Sequence, residues 1–140
     1  MTTALCAWVG IARSQAPPPG ECPQPRFTGK APDDFYNRQN PVVATSEHVA
    51  AGRKLYEKAA SPPCEICHGV KGDGKGPIAS QFDPRPRNFA CAQTVNGIPD
   101  GQLFWIVQNG SPGTGMPGFK RLSDEQIWSL ILYLRQLAKP

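Results

Sequence analysis

Apolar residues recur at helical spacing in three stretches of this 140-residue chain. In the first, Val49, Gly52, Leu55, Tyr56 and Ala59 fall on one face of a helix running from about residue 45 to Ala60. Thr45 or Ser46 is a suitable N-cap, Glu47 suits the positive end of the helix dipole, and Pro62-Pro63 stops the helix. A second helix is predicted over Asp100–Asn109, carrying Leu103, Phe104, Ile106 and Val107, with Gly110 as its C-terminal cap. The third begins at Ser123, where Asp124, Glu125 and Gln126 read as a capping box. It continues through Ile127, Trp128, Leu130, Ile131, Tyr133, Leu134 and Leu137. The pattern predicts an all-α fold with three principal helices and no substantial sheet.

The N-terminal third reads differently. Residues 17 to 46 hold Pro17, Pro18, Pro19, Pro23, Pro25, Pro32 and Pro41, which forbid regular helix and favour polyproline-like or turn structure. Phe27, Phe35 and Tyr36 are too many aromatics for a solvated linker, so this arm is expected to lie over the globular part. Residues 1 to 16 form an apolar stretch, then Arg13, then a small-x-small step at Ser14-Gln15-Ala16, the pattern of a secretion leader. The apolar run is far shorter than the roughly 20 residues that span a bilayer. The organisation expected is a leader over 1–16, an arm over 17–46 and one domain over 47–140.

A domain of under about a hundred residues buries little surface by itself. Charge is modest: the net formal charge is +4, and from Glu47 onward eleven Lys or Arg face eight Asp or Glu. The basic residues are scattered, which argues against nucleic-acid binding. The slight excess suits a solvated surface, or steering of an acidic redox partner.

Residues 64–68 read Cys-Glu-Ile-Cys-His. Two cysteines one helical turn apart, followed at once by histidine, form the attachment pattern of a c-type haem. Cys64 and Cys67 would bond the two vinyl groups and His68 would offer an axial nitrogen to iron. A thioredoxin-type motif should follow a β-strand, but Ser61-Pro62-Pro63 precedes this one. A structural zinc site needs a second ligand pair, which Cys6, Cys22 and Cys91 do not form. A covalently held haem would also enlarge the core of so small a domain.

Other residues gain meaning beside that motif. Gly69, Gly72, Gly74 and Gly76 let the chain bend round a haem edge, and no Walker pattern accompanies them. Arg85 and Arg87, in a Pro-stiffened segment, are candidates to meet a propionate, or are solvated surface cations. Trp105 is a haem-edge residue or plain core. The segment Ser111 to Phe119 presents Met116 between Gly115 and Pro117. A methionine there has little core to fill, and its thioether is a ligand for haem iron opposite histidine. His48 reads as an ordinary helix-start residue.

From Gly52 onward the chain resembles class I c-type cytochromes, especially the small bacterial single-haem type related to cytochrome subunits of cbb3-type oxidases. The residues that carry the likeness are Gly52-x-x-Leu55-Tyr56, Cys64-x-x-Cys67-His68-Gly69, Gly76-Pro77, Gly115-Met116-Pro117-x-Phe119 and Leu130-x-x-Tyr133-Leu134. The resemblance implies one haem c and a crossing of the first and last helices with Gly52 opposite Tyr133. It also implies a Pro77 carbonyl that orients His68. The function implied is one-electron transfer between redox proteins, as a carrier or a complex subunit, in the periplasm and without catalysis of its own. The alternative is a haem enzyme or gas sensor with a labile sixth ligand. Cys22 and Cys91 lie outside the family pattern. With Cys64 and Cys67 on haem and Cys6 in the leader, these two either bridge and pin the arm, or are unrelated thiols.

Overall fold

The computed structural model describes residues 20–25 and 27–138. The leader over 1–16, Cys6 and the first residues of the arm lie outside the described residues. Six α-helices are present among those described, with no strand. They are α1 (Asp33–Tyr36), α2 (Ser46–Lys54), α3 (Glu65–His68), α4 (Ala92–Val95), α5 (Asp100–Asn109) and α6 (Asp124–Leu137). The fold is all-α, and α2, α5 and α6 are the three principal helices. None of the helices is long and apolar enough to cross a membrane, among the described residues.

The caps form as the sequence predicts. Thr45 accepts from the His48 backbone N–H at the start of α2. Ser123 and Gln126 make a full capping box on α6, each side chain satisfying the other's backbone N–H. Gly110 ends α5 at φ 85°, in the region that favours glycine. The first helix does not stay α-helical to its end: Leu55–Ala59 widens into a π turn, closed by the Ala60 N–H on the Leu55 carbonyl at 3.1 Å.

α2 and α6 pack together most closely, and α5 lies against α6. Their apolar stripes make one core with Tyr56, Phe104, Ile127, Leu130 and Ile131 wholly inside it. The crossing is made by backbone. A Cβ on Gly52 would lie 2.6 Å from the Ser129 carbonyl carbon and 3.0 Å from Leu130 Cα. This corrects the expected pairing of Gly52 with Tyr133. Tyr133 instead meets the Tyr56 ring edge-on, with centroids 5.4 Å apart.

The arm lies over the domain, but it is not free of helix as its prolines suggest. α1 forms because Pro32 sits at the N-cap, where its carbonyl can accept and no N–H is needed. Phe35 of α1 packs on Phe104 and Trp105 of α5 at 6.1 and 4.9 Å. Cys22 and Cys91 are joined by a disulfide with Cα atoms 5.5 Å apart, so the bridge between arm and domain is present.

Two buried glutamines fasten the arm from opposite sides. Gln24, in the arm, reaches into the domain. Gln102, on α5, reaches out: its Oε1 accepts from the Ala31 N–H at 2.7 Å and its Nε2 donates to the Gly29 carbonyl at 3.0 Å. Asn40 Nδ2 adds a bond to the Trp128 carbonyl at 2.9 Å. The arm thus has the hydrogen-bond partners that it lacks as secondary structure.

Candidate functional site

Helix α3 is the Cys-x-x-Cys-His motif itself. Its single turn is closed by the His68 N–H on the Cys64 carbonyl at 2.9 Å. That turn places Cys64, Cys67 and His68 on the wall of one cavity of about 950 Å³. The loop after the motif returns against it at Gly76. A Cβ there would sit 2.6 Å from the Cys67 carbonyl carbon, so a side chain would push the loop off the motif. Tyr56 Oη braces the same turn from the core by donating to the Gly69 carbonyl at 2.6 Å.

The two thiols are not activated. Burial pushes the Cys64 thiol up to about 12 and raises that of Cys67 as well. A redox-active Cys-x-x-Cys needs the opposite shift, since the thiolate is the nucleophile.

His68 is buried and held at two places. Its ring stacks on Phe89 with centroids 4.5 Å apart. Its Nδ1 lies 3.0 Å from the Arg87 carbonyl oxygen. A carbonyl can only accept, so Nδ1 carries the proton. In the neutral imidazole the lone pair then lies on Nε2, the form in which imidazole binds a metal.

Met116 lines the same cavity. Its loop is tied back on itself: the Ser111 N–H donates to the Met116 carbonyl at 3.2 Å, and the Met116 N–H to Thr114 Oγ1 at 3.1 Å. The Phe119 N–H on the Val107 carbonyl, 2.9 Å, then fixes the loop to the end of α5.

The remaining candidates separate. Arg87 lines the cavity, and its Nη2 donates to Thr28 Oγ1 of the arm at 2.7 Å. Arg85 is not among the lining residues; its Nη1 donates to the Ala79 carbonyl at 2.9 Å. Trp105 does not line the cavity either. It faces Phe35, so its place is the seam between arm and core. Pro77 is exposed and also absent from the wall, and the Arg87 carbonyl stands where the Pro77 carbonyl was expected. The chain does turn back on the histidine, but with the later Pro86–Asn88 segment. His48 is far from this chemistry in kind: its Nδ1 faces the Val43 carbonyl at 2.8 Å at the exposed start of α2.

One group of lining residues had no signal of site function in the sequence. Gln24, Phe27, Thr28, Lys30 and Tyr36 of the arm form part of the cavity wall. The excess of aromatics in the arm pointed to packing, not to a site.

The donor set fits a haem. The volume lies at the top of the ordinary range for ligand cavities, and the wall is largely apolar, with Phe82, Leu103 and Leu130 among its residues. Two thiols stand beside a histidine whose Nδ1 carries the proton, and a thioether lies on the same wall. The wall includes the basic side chains of Arg87 and of Lys30, which is ion-paired with Asp33 at 2.6 Å.

Residues 49–138 match the family model for cytochrome c. The chain belongs to the cytochrome c family, whose cofactor is haem c and whose work is electron transfer. It is 28% identical over 87 residues to cytochrome c55X of Stutzerimonas stutzeri, a match spanning 61% of this chain and 67% of that protein. Among solved structures it is similar to a chain of the reducing HAO-like protein complex of Kuenenia stuttgartiensis, with a TM-score of 0.62 and 34% identity. That match covers 71% of this chain and 47% of the other, so the chain spans about half the length of that solved relative.

Proposed function

We propose that this protein carries one haem c, bonded through Cys64 and Cys67 and ligated axially by His68 and Met116. It passes single electrons between redox proteins. The observation that carries this reading is that His68, with its proton fixed on Nδ1, shares a cavity with both thiols and with Met116. When bound, haem c supplies one-electron chemistry through the ferric and ferrous states of its iron. The chain's part is to hold the ring, fix the His68 proton on Nδ1 and exclude water with apolar walls. Were His68 and Met116 both to bind the iron, no coordination site would be left for a substrate. Export to the periplasm agrees with the secretion-like leader and with a disulfide, which persists in an oxidising compartment.

The oxidised protein should show the weak absorption band near the red end that marks methionine on ferric haem. Absence of that band, with ready binding of cyanide or carbon monoxide, would point to the enzyme or sensor instead. Co-purification from native cells separates a free carrier from a subunit: the Kuenenia relative is part of a complex, and a stable partner here would place this chain in the second group.

A further inference from the structure

The peptide that orients His68 is itself held by the arm. Gln24 Nε2 donates to the Pro86 carbonyl at 3.0 Å, and Gln24 Oε1 accepts from the Asn88 N–H at 3.1 Å. These two backbone groups flank Arg87, whose carbonyl receives the His68 Nδ1–H. One buried side chain therefore brackets the single residue that supplies the acceptor. Gln24 is fixed in turn: its own N–H donates to Thr94 Oγ1 at 3.0 Å, and the Cys22–Cys91 disulfide anchors the chain two residues earlier. The Asn88 side chain adds a bond to the Gly20 carbonyl at 3.2 Å.

We infer that Gln24 is a positioning residue for the axial histidine, setting the strength of the His68 hydrogen bond and through it the reduction potential. This rests on the reading of His68 as an iron ligand. An imidazole that donates Nδ1–H to a well-placed carbonyl is a more basic ligand, which favours the ferric state and lowers the potential. Without its bracket the Arg87 peptide can drift, the bond weakens and the potential rises. The arm lies outside the family-matched residues, so this control is an addition to the domain, not a part of it.

The test is Gln24→Met in the full haem-loaded protein. It keeps side-chain volume and removes both bonds, while the disulfide still holds the arm. Two quantities are read: the reduction potential, and solvent exchange of the His68 Nδ1 proton by nitrogen-15 NMR of the reduced form. The expected result is a higher potential and exchange at least about fivefold faster, the effect of losing a net hydrogen bond. Gln102→Met is the control, because it loosens the arm at Gly29 and Ala31 without touching Pro86–Asn88. An unchanged potential and exchange rate in Gln24→Met overturns the inference. So does an equal response to Gln102→Met, or a fall in potential, since either would make the arm a mere shield. Should Gln24→Met yield no holoprotein, Thr94→Val removes the acceptor for the Gln24 N–H and should move both readouts the same way. The wild-type spectrum keeps the two readings apart: if it lacks the methionine band, the ligand assignment fails; if the band is present and the variants are silent, only the role of Gln24 fails.

Discussion

Gly52 rests directly on the Ser129 carbonyl, so that α2 and α6 cross with backbone against backbone. A Cβ would overlap that carbonyl, and the neighbour is main chain in the middle of a helix, which has no rotamer to give. Gly52→Ala should therefore lower stability by about 1 to 3 kcal/mol, and Gly52→Leu by more. Thermal melts of the haem-loaded variants check this; melting like the wild type would mean that the helices do not meet at Gly52.

Met116→His should leave haem attachment intact and lower the reduction potential markedly, because methionine raises it relative to a second histidine. Potentiometry and the loss of the red-end band read the change. An unaltered potential would remove Met116 from the iron.

Tyr56 gives a pH signature. Burial raises its phenol well above the ordinary value of 10.0. The unfolded chain then ionises before the folded one. Stability from this group is complete below about pH 10 and declines as pH rises above it towards the folded value. Tyr56→Phe should cost about 1 to 2 kcal/mol at neutral pH by orphaning the Gly69 carbonyl, and should flatten the alkaline decline. Denaturant melts between neutral and alkaline pH would expose an error in either part.

Arg135 on α6 stitches the last helix to the approach to α5. It reaches Asp100 Oδ1 at 2.6 Å, the Val95 carbonyl at 2.7 Å and the Ile98 carbonyl at 2.5 Å. Arg135→Met should cost about 2 to 3 kcal/mol, chiefly by leaving those carbonyls without a charged donor. A loss confined to a few tenths of a kcal/mol in urea melts would show that water replaces the guanidinium.

Replacing both Cys22 and Cys91 by serine opens a link of sequence separation 69. Chain-entropy arithmetic gives a loss of up to about 4 kcal/mol. Calorimetry of the double variant measures it. A melt at the wild-type temperature would mean that Gln24 and Gln102 hold the arm without covalent help.

The helices and their caps were legible because they follow from local pattern: spacing at Leu130, Tyr133 and Leu134, or Ser123 facing Gln126. That Cys64, Cys67, His68 and Met116 belong together was readable for a related reason, since haem attachment asks for residue types at fixed spacing, and the fold does set all four on one cavity wall. What sequence could not supply was distance through space. Arg87 serves His68 with its carbonyl, a group that every residue has, so no side-chain pattern marks it. Gly52 was read correctly as a close-approach position, yet its neighbour was misplaced by one turn of α6. In sequence Gln24 is one polar residue between Pro23 and Pro25; only the fold brings it beside Pro86 and Asn88. The Cys22–Cys91 bridge lay between, permitted by counting and decided by a 5.5 Å separation.

Gln102 binds the arm through the Ala31 N–H and the Gly29 carbonyl, both outside residues 49–138. The span that heredity marks off is consequently shorter than the span that is mechanically whole. Anyone transplanting this domain into another polypeptide, or trimming it to the inherited core, would leave both polar ends of the buried Gln102 amide facing nothing and strip one wall from the cavity. The portable module begins no later than Gly20, the first of the described residues whose carbonyl the domain grips.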